Sequence, residues 1–179
     1  MDFWEVLKER KSVREYSEEK IKNEDLEKII DAARLAPTAR KVEPWEFIVI
    51  TSKKSLGELG EITDHGKFLA AAAAGIVVVS KDTKYYLEDC SAATENILLA
   101  ATALGIGACW IAGDKKDYAG AICECLGVPQ DYKLVSIVSL GYPKSKTEFS
   151  KKRPLESVLH WERCSACNQS FRSKRDDGR

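Results

Sequence analysis

A chain of 179 residues, 44% of them hydrophobic, is long enough for one full core, and its length suggests a single domain. Its 28 basic residues balance 28 acidic ones, which argues against nucleic acid or a membrane surface as the main partner, since both rely on a dominant basic field. The opening Met-Asp-Phe-Trp-Glu lacks the basic and apolar regions of a signal peptide, and the longest near-apolar run, residues 68–79, is too short to span a bilayer, so a soluble cytoplasmic protein is expected.

Asp2 and Glu5 make a capping-box pattern that predicts a helix to about Lys11. Asn23 reads as the N-cap of a second helix, in which Leu26, Ile29, Ile30 and Ala33 follow the i, i+3, i+4, i+7 rule until Pro37 ends it. The loop 38–44 leads to a strand at 45–50, rich in aromatic and β-branched residues. Short helical pieces at 55–62 and 68–74 precede a strand at 76–80. The longest helix, about 85–104, carries a wide apolar stripe through Leu87, Cys90, Ala93, Ile97, Leu98, Ala101 and Leu104, and Gly105 stops it. A strand at 108–112, a helix at about 116–126 ended by Gly127, and a strand at 133–140 complete the pattern. Helices alternating with four strands predict a sheet covered by helices rather than a bundle. From residue 164 the chain is polar and aperiodic, so residues 1–163 are expected to form one domain and 164–179 a disordered tail.

Arg10, Lys11, Ser12 and Arg14 place three cations and a hydroxyl within five residues at the end of the first helix. A phosphate group wants forked guanidinium donors, a point charge and a hydroxyl within one small radius. The other reading is a solvated basic helix end, favoured by the helix dipole. The glycines of Gly105-Ile106-Gly107 follow a helix and open a strand, the reverse of a dinucleotide-binding loop. Having only His65 and His160, and no nucleophile elbow, argues against a serine or cysteine hydrolase, and His65 beside Gly66 reads as solvent-exposed. Cys90 and Cys109 sit among apolar neighbours as small hydrophobes, and Cys123 and Cys125 point to different helix faces. Cys164 and Cys167, with His160 nearby, make half a zinc site, so a metal-linked or redox role would need a second subunit's pair, and no metal ligand is assigned.

Four segments in order resemble the nitroreductase family of FMN-dependent oxidoreductases. They are Arg10-Lys11-Ser12-Val13-Arg14; the run from Ala36-Pro37-Thr38-Ala39 to Pro44-Trp45-Glu46-Phe47; Asp89 and Asn96 joined to the run Gly105–Gly113; and Leu140-Gly141-Tyr142-Pro143, followed by Lys152-Arg153-Pro154-Leu155 and His160-Trp161-Glu162. Together they cover residues 3 to about 163.

The resemblance implies an α+β nitroreductase-like fold, with a central mixed or antiparallel sheet of about four strands flanked by helices, in a homodimer with FMN at each interface site. It implies an NAD(P)H-dependent oxidoreductase that passes a hydride from NADH or NADPH through flavin N5 to a small oxidised acceptor, such as a nitroaromatic or quinone, by a ping-pong route. The alternative is an FMN-storage protein with little turnover. No side chain need act as an acid or base, so no catalytic residue is assigned. Arg10, Ser12 and Arg14, with Lys11 among them, match the family's phosphate and ribityl contacts, and Lys152 and Arg153 match its second cationic clamp. Pro37, Thr38 and Ala39 resemble the loop that reaches the flavin from the other subunit. Ile111, Ala112 and Gly113 resemble the backbone lying against the isoalloxazine, where an N–H would orient the ring. Lys67 matches a lysine that favours the reduced flavin, or else is a helix-start lysine in solvent.

Two departures stand out. Lys41 and Glu43 occupy positions where the family commonly has Asn and Gln, and Lys41 could contact the flavin, its phosphate or Glu43. The chain also lacks room for the helical insertion that covers the flavin in larger relatives, which implies a more open site. The long helix could form a symmetric dimer interface or serve as the core helix under the sheet.

Overall fold

A computed structural model of the chain describes residues 1–145 and 151–164. The chain divides into two compact units, Met1–Glu148 and Phe149–Arg179. In the second, the described residues include Lys152 and Arg153, followed by a 3-10 turn at Leu155–Ser157. Cys167 and residues 165–179 of the expected tail lie outside the described residues.

The first unit has an α+β fold. Its strands are β1 (Trp45–Ile50), β2 (Ala74–Lys81), β3 (Gly107–Ala112) and β4 (Tyr132–Gly141), and its helices are α1 (Phe3–Glu9), α2 (Asn23–Arg34), α3 (Lys53–Ile62), α4 (Tyr86–Ala103) and α5 (Ala119–Cys125). The sheet is antiparallel throughout in the order β1-β2-β4-β3, leaving β1 and β3 at the edges. Successive residues of central β2 serve opposite faces, as the two-residue period of a strand requires. Ile76 and Val78 pack with α2 and α4, whereas Val77 and Val79 pack with α3 and α5.

The long helix α4 is the core helix on its face of the sheet: Cys90, Ala93, Ile97 and Ala101 are fully buried. Its few polar groups are used as ties. Asn96 Nδ2 donates to the Ala32 carbonyl of α2 at 2.9 Å, and Thr94 Oγ1 lies 2.8 Å from Ser136 Oγ of β4. Burial pushes the Cys90 thiol up to about 11, which keeps it protonated and inert.

The capping box is present, with Glu5 N donating to Asp2 Oδ1 and Asp2 N to Glu5 Oε2, both at 2.9 Å. Other boundaries differ from expectation for local reasons. α1 stops at Glu9, and Arg10 is its C-cap. Asn23 is the first residue of α2, preceded by Lys22 with no side-chain cap. The alanine-rich stretch is a 3-10 turn at Lys67–Ala71 with β2 starting at Ala74, where α3 lies close: a Cβ on Gly75 would stand 3.0 Å from Leu56 Cδ2. α5 starts at Ala119, since Lys116 N turns back to the Gly113 carbonyl at 3.3 Å. No helix among the described residues is long and apolar enough to cross a membrane.

Candidate functional site

The segment after α1 lies along the outer edge of β3. Ser12 pairs with Ala108 in a parallel bridge, and Val13 N donates to the Ala108 carbonyl at 2.9 Å. Further on, Tyr16 pairs with Pro143, Ser17 N donates to Tyr142 O at 2.8 Å, and Lys144 N donates to Glu15 O at 3.0 Å. Extended backbone sends alternate side chains to opposite sides, so Val13 is buried while Ser12 and Arg14 stay exposed. Two features hold this strap in place. Gly107 leaves room for Val13, whose Cβ and both Cγ atoms would lie 2.9 Å from an added Cβ. Buried Tyr16 donates its hydroxyl proton to Val13 O at 2.6 Å, which makes Ser139 the donor in the 2.7 Å contact between the two hydroxyls. Burial also holds the Tyr16 phenol far above its ordinary range, so it stays a neutral donor.

Beside the strap is a cleft of about 160 Å³ lined by Arg14, His65, Phe68, Trp110, Ala112 and Tyr118, among others. The Arg14 guanidinium lies 5.8 Å from the centre of the Phe68 ring. The backbone of β3 supplies donors here. Gly113 N bonds to Val135 O of β4 at 3.1 Å, and in an antiparallel ladder alternate residues face the partner, so Ile111 and Cys109 also face β4. Ala108, Trp110 and Ala112 therefore face the open edge. Val13 takes the Ala108 carbonyl, and the Tyr118 hydroxyl donates to the Ala112 carbonyl. The N–H groups of Trp110 and Ala112 have no partner among the described residues. Of the three residues expected to offer a backbone donor, only Ala112 has one free to do so. Gly113 has a different role: an added Cβ would stand 2.6 Å from Leu134 Cγ and 2.9 Å from the Val135 carbonyl.

The other expected cations have varied settings. Arg10 is half-buried at the helix end, and Lys11 pairs with Glu9 at 3.4 Å and lines a separate cleft with Val13 and Thr102. Lys67 extends into solvent, 73% exposed, with Glu61 at 3.7 Å. Lys152 and Arg153 belong to the C-terminal unit. Among the described residues no group of three or more His, Cys, Asp or Glu is gathered as metal ligands.

Pro37, Thr38 and Ala39 lie in the loop before β1, at the sheet edge opposite β3. This loop is strained. Arg40, Lys41 and Glu43 have φ of 60°, 57° and 47°, a left-handed conformation that costs non-glycine residues on the order of 1 kcal/mol or more each. Thr38 Oγ1 accepts from Val42 N at 3.2 Å and Glu43 N at 3.1 Å, and Ala39 N donates to Asp89 Oδ1 at 2.9 Å. Lys41 and Glu43 are exposed and form no ion pair with each other. Asp89 is the residue whose role sequence reading missed. It is a carboxylate only 5% exposed, and with Glu88 beside it in the first turn of the helix the sequence carried no signal of that burial. Asp89→Ala leaves the Ala39 N–H without its acceptor and is expected to destabilise the domain by about 1–3 kcal/mol. Thermal melts, with hydrogen exchange at residues 39–43, check this; unchanged exchange there would refute the latch.

A family model described as "Putative TM nitroreductase" matches residues 2–172. The "Putative NADH dehydrogenase/NAD(P)H nitroreductase" of Archaeoglobus fulgidus is 45% identical over 147 residues, 78% of this chain and 84% of that protein. An "FMN-dependent Nitroreductase" from Clostridium difficile R20291 superposes with a TM-score of 0.84 at 32% identity, covering 89% of this chain and 98% of the other. A "putative nitroreductase in complex with fmn" from Desulfovibrio desulfuricans gives a TM-score of 0.80 at 26% identity, covering 90% of this chain and 96% of the other. With the family match spanning nearly all of the sequence and the same architecture in solved relatives, this chain belongs to the nitroreductase family.

Proposed function

We propose that the chain is an FMN-dependent oxidoreductase that takes reducing equivalents from NADH or NADPH and delivers them to a small conjugated acceptor, such as a nitroaromatic or quinone. The observation that carries this reading is the β3 edge, where a fixed strap presents Ser12 and Arg14 outward beside a cleft with outward-facing backbone N–H groups. That donor set suits a flavin mononucleotide. A fork and a hydroxyl match its phosphate, and the Ala112 N–H can orient its ring. Bound FMN supplies reversible two-electron chemistry; the protein's part is binding, orientation and electrostatics.

Arg10, Ser12 and Arg14 hold the phosphate in this reading, and a second clamp by Lys152 and Arg153 rests on the family resemblance alone. Lys11 is left out, because its ammonium turns back to Glu9. Pro37, Thr38 and Ala39 reach the flavin of a second copy, since their loop precedes the edge strand opposite β3 with two strands between. The working form is accordingly a homodimer. Donor and acceptor use the same open cleft in turn, which gives ping-pong kinetics.

The test is the visible spectrum of the purified protein with FMN, before and after anaerobic NADH or NADPH. One bound flavin per chain that bleaches with either donor is expected. A bound flavin that does not bleach would support storage instead, and absence of bound flavin would sink the reading altogether.

A further inference from the structure

A second and much larger cleft, about 1080 Å³, opens between α5 and the start of β4, on the far side of the turn that follows β3. Lys116 lines both this cleft and the one at the β3 edge, so the turn Gly113–Lys116 is their common wall. The turn is tightly built. The N–H groups of Gly113 and Asp114 both donate to the Val135 carbonyl at 3.1 Å, and Lys116 N donates to Gly113 O at 3.3 Å. Tyr86 pins it from α4 by donating its hydroxyl to Asp114 Oδ1 at 2.6 Å. Lys115 is held at a left-handed φ of 58° with its side chain 82% exposed.

We propose that this larger cleft receives the adenosine diphosphate half of the nicotinamide dinucleotide donor, an inference that rests on the oxidoreductase reading above. A dinucleotide carries its two phosphates midway between two rings. A ligand with its nicotinamide at the β3 edge would cross the turn at its middle, where Lys115 and Lys116 supply cations for the pyrophosphate. Beyond the turn, Tyr86 and Tyr132 offer aromatic surface for the purine. Lys133 lies 4.8 Å over the Tyr86 ring and is tethered by Asp82 at 2.7 Å, so the ring and a cation are presented together. The volume reaches the upper end of small-molecule sites, which run to about 1,000 Å³. Glu124 and Asp114 are the unfavourable charges on the same wall; Asp114 lies 3.9 Å from Lys115, and Asp64 lies 3.5 Å from Lys116, both partners that a pyrophosphate would have to displace.

The experiment compares the FMN-loaded wild type with Lys115→Glu and Glu124→Lys, both changes of exposed side chains. Calorimetric titration with ADP-ribose reads the cleft without turnover. Binding is expected to weaken about fivefold to tenfold in Lys115→Glu and to tighten about twofold to fivefold in Glu124→Lys, as surface charge changes permit. KM for NADH should move in the same sense. KM for 1-benzyl-1,4-dihydronicotinamide, which has the ring but neither phosphate nor adenosine, should not move. Equal ADP-ribose binding in all three proteins, or parallel shifts with both donors, would overturn the assignment. Failure of the wild type to bind FMN would instead remove the reading on which it rests, and the two failures are read separately.

Discussion

Gly107→Ala is expected to destabilise the domain by about 1–3 kcal/mol and to weaken FMN binding at the same time. The new Cβ would stand 2.9 Å from three carbons of the Val13 side chain, one of them Val13 Cβ, which cannot rotate away. Either β3 or the strap must move. The Val13–Ala108 hydrogen bond then lengthens, and Ser12 and Arg14 lose their fixed position on the outer face. Gly120→Ala is the control. Its Cβ meets nothing within 4 Å in the first turn of α5, and alanine there should stabilise by less than the roughly 1 kcal/mol of a helix interior. Denaturant melts and flavin fluorescence titrations on both variants check this. Normal FMN affinity in a destabilised Gly107→Ala protein would separate the strap from the site and defeat the proposal.

Arg14→Ala should lower FMN affinity by about 10- to 100-fold, the range for losing a charge-assisted hydrogen bond. Its effect on stability should be small, because the side chain is exposed and its partners are the Phe68 ring and, at 3.4 Å, the Ser12 carbonyl. Riboflavin provides the internal comparison, since it has the ring and the ribityl chain but no phosphate. Its affinity should be unchanged by the substitution. A loss of equal size for riboflavin and FMN would mean that Arg14 contacts the ring, or acts through Phe68. Arg14→Lys should recover part of the affinity as a point charge without the fork, and the recovered part should fade with added salt.

Much of the fold was legible because its strongest signals are periodic. The apolar positions of α2, from Leu26 to Ala33, and the stripe of α4 from Cys90 to Ala101 are the residues that reach the core. The β-branched runs became β1, β2 and β4 within a residue or two at each end. The alanine-rich stretch misled because alanine's helix propensity is a weak prior, overridden here by tertiary context. The basic strap was legible as chemistry but not as geometry. Nothing in residues 10–14 says that they pair with β3, and only Gly107 and Tyr16 explain why they can. The left-handed backbone at Arg40, Lys41 and Glu43 had no compositional trace, since glycine is the usual marker and none is present.

The Tyr16 hydroxyl meets Ser139 across 123 residues of chain, which fixes an order of events during synthesis. The strap is synthesised well before β4, the strand whose Ser139 holds Tyr16. At ~5–20 residues per second, roughly 6–25 s separate the two. A nascent chain cut before β4 has α1, its basic turn and β3, but β3 joins the sheet only through β4, and closing so long a loop comes only after the central strands have paired. The strap is thus made long before it can be set in place.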